Sequence, residues 1–297
     1  MKLPPFEYAS PGTLQEATAL LAKHNGEARP IAGGQSLLPL MAYRLAAPSL
    51  LIDLAKIEGL NRIEIGEDGV QVGAMTRWCQ IEAEETLTHA HPLMREAVRN
   101  IAHYQIRNRG TIGGSLAHAD PAAEMPALAI TCDAEIYVTG ARGSRVVAAK
   151  NFVVAPLETS LKPDELITSI RFPRWQPHRR WAFLEFSKRR GDFALGGVAL
   201  HFEEDAQGHA TAVHVGVFGT GETPGRLAAV EDFVTGKKVD AALAHAAGRM
   251  ARANVQAASD MHASEEYRKA LIGTLLERAL IEAATRRTEE WKSCKSA

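Results

Sequence analysis

The sequence predicts an α+β protein: two small units of helices and strands, then a C-terminal antiparallel sheet with helices. Three observations lead to this fold class. Short strand-like and helix-like patterns alternate in the first part of the chain, a cationic segment with two prolines follows, and long alanine-rich helical patterns come last. With 297 residues, of which 46% are hydrophobic, the chain can bury more than one core.

Composition excludes several classes of protein. The formal net charge is -1, from 34 basic and 35 acidic residues, so no overall field attracts nucleic acid or an anionic membrane. No apolar run is long enough to span a bilayer, and no secretion signal is recognisable, which predicts a cytoplasmic protein without a transmembrane segment. Cys79, Cys132 and Cys294 lie far apart, so no local zinc or iron–sulfur site is predicted.

The first unit is predicted to span residues 1–58. Thr13 can cap a helix, with Glu16 three residues later, and Gly26 follows its end. A strand at 29–32 leads into the glycine loop 33–36. An apolar segment at 37–41 and a second strand at 50–54 follow this loop.

The second unit is predicted to span residues 59–175. It starts with a hairpin over Arg62–Gly73, because apolar residues alternate on both sides of Glu67-Asp68-Gly69. A polar, glycine-bearing stretch, His103–Asp120, has no helix or strand assigned to it. The remaining predicted helices are 78–85, 92–102 and 122–131, and the remaining strands are 135–138, 144–147 and 166–172.

The third unit is predicted to span residues 181–290, after a linker at Pro173–Arg180 that lacks periodicity. The string Gly219–Pro224 is interpreted as a turn, because a proline stands where a dinucleotide-binding loop needs its third glycine. The predicted strands are 182–188, 195–202 and 210–218, and the predicted helices are 241–257 and 264–285.

Two glycine loops are the clearest candidates for a binding site. They are Ala32-Gly33-Gly34-Gln35-Ser36 and Thr111-Ile112-Gly113-Gly114-Ser115. Adjacent glycines let the backbone approach a ligand, their N–H groups can point at an anion, and a serine hydroxyl can donate. Either loop alone is more simply a tight turn, but two in successive units favour a diphosphate. The triphosphate-binding pattern G-x-x-x-x-G-K followed by serine or threonine is absent, so no lysine is predicted to bind a triphosphate.

The wider strings resemble a known family. IAGGQSLLPLM, IRNRGTIGGSLAHADPAAEMPAL, PDELITSIRFP, KRRGDFALGGVAL and GVFGTGETPGR, in this order and spacing, resemble the FAD-binding medium subunit of the carbon monoxide dehydrogenase and xanthine dehydrogenase family. The resemblance covers nearly the whole chain. It implies a two-lobed FAD-binding domain of the vanillyl-alcohol oxidase type, followed by a smaller C-terminal domain of antiparallel sheet plus helices.

The same resemblance assigns residues to the cofactor and none to catalysis or metal binding. The two glycine loops would line the diphosphate and ribityl portion, and Leu161 would touch the flavin ring. Glu124 stands where relatives tend to have aspartate, and Phe193 where several have tyrosine. The assigned residues are Ile31, Ala32, Gly33, Gly34, Gln35, Ser36, Ile101, Thr111, Gly113, Gly114, Ser115, Glu124, Leu161 and Phe193. Lys188 is added to the cofactor-binding residues as a neighbour of the flavin, with the alternative that the charge run 188–190 is simply solvated.

The resemblance also implies partners. An oxidoreductase subunit of this kind would work with a large subunit holding molybdenum and molybdopterin cytosine dinucleotide, and a small subunit with 2Fe-2S clusters, in a dimer of heterotrimers. Electrons would pass through FAD to an external acceptor: NAD+, a quinone, a cytochrome or dioxygen. Two alternatives stay open, a stand-alone flavin-dependent oxidoreductase on the same fold and a non-catalytic nucleotide-binding module.

Other polar residues receive simpler interpretations. His118 and Asp120 are interpreted as part of a hydrogen-bonded loop rather than as metal ligands. His103 and Tyr104 receive no catalytic role, because the sequence places no partner carboxylate beside them.

Overall fold

The first sheet contains three parallel strands. It consists of β1 (Glu7–Ala9), β2 (Ala28–Ile31) and β3 (Leu50–Asp53) in the order β1-β3-β2. In this computed structural model, which describes residues 2–286, the ends of β2 and β3 therefore meet at one edge. The loop 33–36 leaves the sheet at that edge.

The helix predicted in this unit is confirmed as α1 (Leu14–His24). The Thr13 hydroxyl accepts a hydrogen bond from the Glu16 amide at 3.2 Å, which satisfies an amide that has no partner within the helix. Asn25 closes the helix in the left-handed conformation, with φ of 42°. Ala17 and Leu21 are buried against the parallel sheet and against Leu166 of the second unit. A short helix, α2 (Leu37–Ala42), follows the first glycine loop.

The second unit is built on an antiparallel sheet of five strands in the order β4-β5-β10-β6-β7. The hairpin predicted between residues 62 and 73 is confirmed as β4 and β5. The strand bounds are Ile63–Gly66, Gly69–Gly73, Glu135–Gly140 (β6), Gly143–Ala148 (β7) and Glu165–Pro173 (β10), with a separate pair β8 (Val153–Ala155) and β9 (Glu158–Thr159) after a 3₁₀ turn at Ala149–Asn151. Outside residues 103–120, the helices of this unit are α3 (Trp78–Ala83), α4 (Leu87–Ala90), α5 (Pro92–Asn100) and α8 (Glu124–Thr131).

The polar stretch 103–120 contains two helices that sequence analysis did not assign, α6 (Tyr104–Arg107) and α7 (Ile112–His118). The second glycine loop is therefore the first turn of a helix. Two glycines disfavour a helix intrinsically, so α7 depends on its cap and on packing. Thr111 is that cap, because its hydroxyl accepts from the Gly114 amide at 3.1 Å.

The connection between the second and third units packs into the core, although it was predicted to be a linker. Trp175 is buried, with ring centroids 4.8 Å from His91 and 5.5 Å from His201. The Arg179 guanidinium lies over the Trp175 ring. The C-terminal sheet is therefore held against the second unit by side-chain contacts as well as by the chain itself.

The third unit is an antiparallel sheet in the order β11-β12-β13-β14 with helices on one face. The predicted strands and the two long helices are confirmed, and the turn at Gly219–Pro224 contains no regular element. The bounds are β11 (Arg180–Ser187), β12 (Ala194–Glu204), β13 (Ala210–Phe218), β14 (Gly225–Arg226), α9 (Ala228–Val234), α10 (Ala241–Asn254) and α11 (Glu265–Thr285).

Within residues 2–286, we find no helix with the length and apolar character needed to cross a membrane. Cys294 and the end of the predicted unit 181–290 lie outside the described residues. The predicted limits of the three units stay predictions, although each sheet is formed from strands that are consecutive or nearly so in one part of the chain.

Candidate functional site

The two glycine loops contact each other, one from each of the first two units. A side chain on Gly33 would place its Cβ 2.0 Å from the carbonyl oxygen of Arg109, which lies just before the second loop. A Cβ on Gly114 would lie 3.8 Å from the Cβ of Ala32. The backbones meet this closely because the first loop carries no side chain at the contact point.

The first loop presents a row of unpaired backbone donors. Within residues 2–286, the amides of Gly33, Gly34, Gln35 and Ser36 donate to no backbone or side-chain acceptor. Gly34 has φ of 72°, a left-handed conformation of the kind found in anion-binding backbone concavities. Unpaired amides that lie only partly in solvent are costly, so this loop is suited to a ligand with several acceptor oxygens.

The second loop uses its amides internally, which corrects the expectation that both loops point N–H groups at an anion. The Ile112 amide donates to the Thr76 carbonyl at 3.1 Å, and the Gly113 amide donates to the Ala74 carbonyl at 2.9 Å. The Gly114 amide donates to the hydroxyl of Thr111. What this loop can still offer a ligand is the hydroxyl proton of Thr111 and the hydroxyl of Ser115.

Close packing explains the glycines of the second loop. A Cβ on Gly113 would lie 2.5 Å from the Cβ of Ala74, so only a glycine lets α7 begin this close to the five-stranded sheet. A β-bridge between Arg77 and Thr111 fastens the same turn. The second loop thus packs against the first loop, and its own backbone is held by hydrogen bonds and close contacts with the second unit.

A pair of acidic residues lies where the second and third units meet, with Glu124 buried and Glu185 half-buried. Glu124, the first residue of α8, is 9% exposed, and burial raises its pKa to about 7, with Asp120 adding like-charge repulsion. Glu185 on β11 was not identified from the sequence. Burial and the neighbouring Glu124 raise the pKa of Glu185 to about 8.

The remaining residues assigned to the cofactor lie in all three units and differ in their exposure. Ile31 ends β2, and Ile101 is buried at the end of α5. Leu161 is half-buried and packs against the core of the second unit. Lys188 and Phe193 are exposed, and the Lys188 ammonium lies 3.2 Å from the His262 ring.

The loop that carries Lys188 and Phe193 packs on the second unit. A Cβ on Gly191 would lie 2.5 Å from Nδ1 of His103, so this loop covers the chain just beyond Ile101. His103 therefore makes a packing contact between units. Asp120 accepts from the Ala122 amide at 2.8 Å, as expected of a hydrogen-bonded loop.

A cavity with a volume of about 610 Å³ adjoins the glycine loops without coinciding with them. Its wall includes Arg77, which pairs with Thr111, but none of the residues assigned to FAD. It lies between the segment after β3 and the start of α3. The lining residues are Ala55, Lys56, Ile57, Glu58, Gly59, Asn61, Arg62, Met75, Arg77, Cys79 and Gln80.

Two family models match the chain. One describes the FAD-binding domain in molybdopterin dehydrogenase and matches residues 4–175. The other describes the C-terminal domain of CO dehydrogenase flavoproteins and matches residues 181–283.

Individual proteins match over nearly their full length. The nicotine 6-hydroxylase medium subunit of Paenarthrobacter nicotinovorans is 39% identical over 96% of this chain and 100% of that subunit. The alpha subunit of the 6-hydroxypseudooxynicotine dehydrogenase complex of the same organism is 37% identical over 96% and 97%. A solved carbon monoxide dehydrogenase from Hydrogenophaga pseudoflava superposes with a TM-score of 0.92 at 34% identity, covering 95% of this chain and 98% of that one.

Proposed function

Since the chain belongs to the family of FAD-binding medium subunits of molybdenum hydroxylases, we propose that its two glycine loops hold the diphosphate of FAD. The chain is an oxidoreductase subunit, and electron transfer through FAD is its role in the complex. When bound, FAD supplies the ability to take up electrons singly and to release them as a pair.

The row of free amides in the first loop is the observation that carries the proposal. Four consecutive amides, Gly33 to Ser36, are without acceptors among the described residues. A diphosphate offers several charged oxygens at the spacing that such a loop can bind. The Ser36 hydroxyl also has no partner within residues 2–286, and it stands at the start of α2.

The second loop completes the proposed diphosphate site from the other side. The hydroxyls of Thr111 and Ser115 would donate to phosphate or ribityl oxygens, while the backbone of this loop stays fixed to the sheet. A Cβ at Gly114 would lie 2.9 Å from the Thr111 hydroxyl oxygen, so a glycine at this position leaves room beside that hydroxyl. The residues present therefore fit the group.

The flavin end of FAD is proposed to lie toward the boundary between the second and third units. Ile101 supports this placement because it is buried and directly precedes Ala102 and His103, on which the loop that contains Gly191 packs. Glu124 supports it because it is buried at the start of α8, a helix that packs against β12 and β13 of the third unit. Leu161, Lys188 and Phe193 are proposed to contact or flank the ring, and the two exposed residues would do so from the solvent side.

The partners proposed for the chain are a large molybdopterin-binding subunit and a small 2Fe-2S subunit, in a dimer of heterotrimers. The solved relative from Hydrogenophaga pseudoflava is described as a form that lacks the Mo-pyranopterin moiety of the molybdenum cofactor, so a molybdenum cofactor belongs to that enzyme, which supports a molybdenum-containing partner. The terminal acceptor is proposed to be an external molecule or protein. We propose the cytoplasm as the compartment, which suits the free thiols of Cys79 and Cys132.

Purification of the native complex and of the chain alone tests this function. We expect the isolated chain to bind one FAD per chain and to turn over no organic substrate. The complex should contain molybdenum and iron and should pass substrate electrons to the flavin. Turnover by the isolated chain would favour the stand-alone oxidoreductase, and a colourless chain that binds ADP but not FAD would favour the nucleotide-binding module.

A further inference from the structure

Arg107 connects α3 with the turn that follows α5. Its Nη1 group donates hydrogen bonds to two consecutive carbonyl oxygens, that of Ile101 at 3.1 Å and that of Ala102 at 2.9 Å. Its Nε–H donates to Oε2 of Glu82, on α3, at 3.0 Å. The Arg107 side chain is 13% exposed, so these hydrogen bonds are largely shielded from water and are stronger than those of a surface ion pair.

The turn that Arg107 binds has an unusual backbone. Ala102 has φ of 46°, a left-handed conformation that costs a residue with a Cβ about 1–2 kcal/mol. Such a conformation persists only where the surrounding structure holds it. The two carbonyls bound by Arg107 belong to the peptide groups on either side of the Ala102 Cα, and the relative rotation of these groups defines φ and ψ there. The guanidinium therefore holds Ala102 in this conformation.

Two of the residues assigned to the cofactor depend on this turn. Ile101 is its first residue and is buried. The loop that contains Gly191 lies on the rest of the turn, because a Cβ on Gly191 would be 3.0 Å from the Ala102 carbonyl carbon and 2.5 Å from Nδ1 of His103. Phe193 follows two residues later in that loop. A shift of the turn would therefore move Ile101 and displace the loop that carries Phe193.

Glu82 anchors the turn to the region of the glycine loops. The helix that carries Glu82 begins beside the second loop, because the Trp78 amide donates to the Gly110 carbonyl at 3.1 Å. Gly110 also lies against the first loop, since its Cα would be 2.9 Å from a Cβ on Gly33. The ion pair of Glu82 with Arg107 thus fixes the turn relative to the backbone on which the first glycine loop packs.

We propose that Arg107 is a positioning residue for the flavin: with Glu82 as its anchor, its guanidinium holds the turn 101–103 so that Ile101 and the loop of Phe193 keep a fixed place beside the bound ring. This inference rests on the proposed function. Arg107 acts through these residues and does not itself contact FAD. The diphosphate site and the ring site thereby keep a constant separation, which lowers the cost of binding an extended dinucleotide.

Three variants of the full chain test the proposal. Arg107→Met removes the donors and keeps most of the side-chain length, whereas Glu82→Gln keeps an oxygen that can accept from the Arg107 Nε–H. Arg99→Met is the matched control, because it breaks an exposed ion pair with Glu96, at 3.3 Å, within the neighbouring helix α5. Each is compared with the wild type for FAD affinity, for the visible circular dichroism of the flavin at saturating FAD, and for amide hydrogen exchange of residues 101–106 and 188–193 in the FAD-free chain.

The expected results separate a positioning role from a merely structural one. Arg107→Met should weaken FAD binding by about 3- to 10-fold, which corresponds to about 0.7–1.4 kcal/mol. It should also change the circular dichroism of the flavin that is bound and speed amide exchange in both segments, because the turn and the loop on it open more often. Glu82→Gln and Arg99→Met should stay close to the wild type in all three measurements.

An unchanged circular dichroism spectrum of the bound flavin in Arg107→Met would overturn the proposal, whatever happens to the affinity. If Arg107→Met does not fold, Arg107→Lys takes its place, because lysine keeps the charge beside Glu82 but lacks the planar fork that reaches both carbonyls. The same spectrum then decides. Failure of the proposed function would look different, because the wild type and every variant would lack FAD, while hydrogen exchange of the FAD-free chain would still report the hold of Arg107 on the turn.

Discussion

The two glycine loops share a composition but differ in what their backbones do. In the first loop, the amides of Gly33 to Ser36 have no acceptors among the described residues. In the second, the amides of Ile112 to Gly114 are all engaged by Thr76, Ala74 and Thr111. The backbone amides of the first loop are thus available to a ligand. Those of the second loop instead start a helix that packs against the first loop.

The difference arises from the elements that flank each loop. The first loop leaves the end of a parallel strand, where nothing continues the hydrogen bonding of its backbone. The second loop starts α7 next to the segment that follows β5, where the carbonyls of Ala74 and Thr76 and the cap at Thr111 are within reach. A loop with adjacent glycines and a nearby serine therefore indicates an anion site only when the neighbouring backbone leaves the loop's amides free.

Gly33→Val should have the largest effect, because it breaks the contact between the loops. The new Cβ would overlap the carbonyl of Arg109, at 2.0 Å, so the two units must separate locally. We expect a loss of stability of about 1–3 kcal/mol and a protein purified without FAD. Flavin absorbance and thermal denaturation measure the two effects. A normal flavin content would show that the loops need not touch to bind the cofactor.

Gly34→Val should abolish FAD retention with less damage to the fold. A β-branched residue is strained at φ of 72°, by about 1–2 kcal/mol, and its amide would turn away from the others. Gly34→Asn is the matched control, because asparagine tolerates this conformation and should keep part of the FAD affinity. Equal FAD affinity in wild type and in Gly34→Val would remove the first loop from the site.

Gly114→Ala should have a smaller effect on the cofactor, in contrast to the first loop. Alanine favours the helix by about 1 kcal/mol, and its Cβ would meet the Ala32 Cβ at an ordinary 3.8 Å but the Thr111 hydroxyl at a tight 2.9 Å. We expect FAD affinity to fall by less than about 10-fold, or about 1.4 kcal/mol. Titration of the FAD-free protein with FAD measures it. A complete loss of binding would mean that the α7 amides rearrange to bind phosphate.

Thr111→Val should have the smallest effect and should act on stability first. Valine cannot accept from the Gly114 amide, so α7 loses its cap, at a cost of about 1 kcal/mol. Thr111→Ser keeps the cap and should restore the unfolding midpoint. Denaturant unfolding checks both variants. A Thr111→Val protein as stable as wild type would contradict the supporting role of this loop.

Local signals predicted most elements of the fold, and tertiary contacts explain the exceptions. The cap at Thr13 and the alternating pattern around Gly69 were sufficient to locate α1 and the β4–β5 hairpin. α7 was not predicted, because its two glycines disfavour a helix and the packing of Gly113 on Ala74 is not visible in the sequence. Trp175 was assigned to a linker, because its contacts with His91 and His201 join distant segments.

The candidate site could be predicted where it depends on loops and not where it depends on burial. The two glycine loops could be recognised from their residue types alone. Glu185 lies in an ordinary strand, and its neighbour Glu124 becomes evident only once β11 is packed against the second unit. The role of Lys188 stays a prediction, since its exposed ammonium contacts His262.

The central claim is that the backbone of the first loop, and not that of the second, grips the cofactor's phosphates. A crystal structure of the chain with FAD tests it most directly. We expect phosphate oxygens within about 2.7–3.2 Å of the amides of residues 33–36, with the amides of residues 112–114 still bound to their present acceptors. Phosphates on the α7 amides, or at a site away from both loops, would contradict the account.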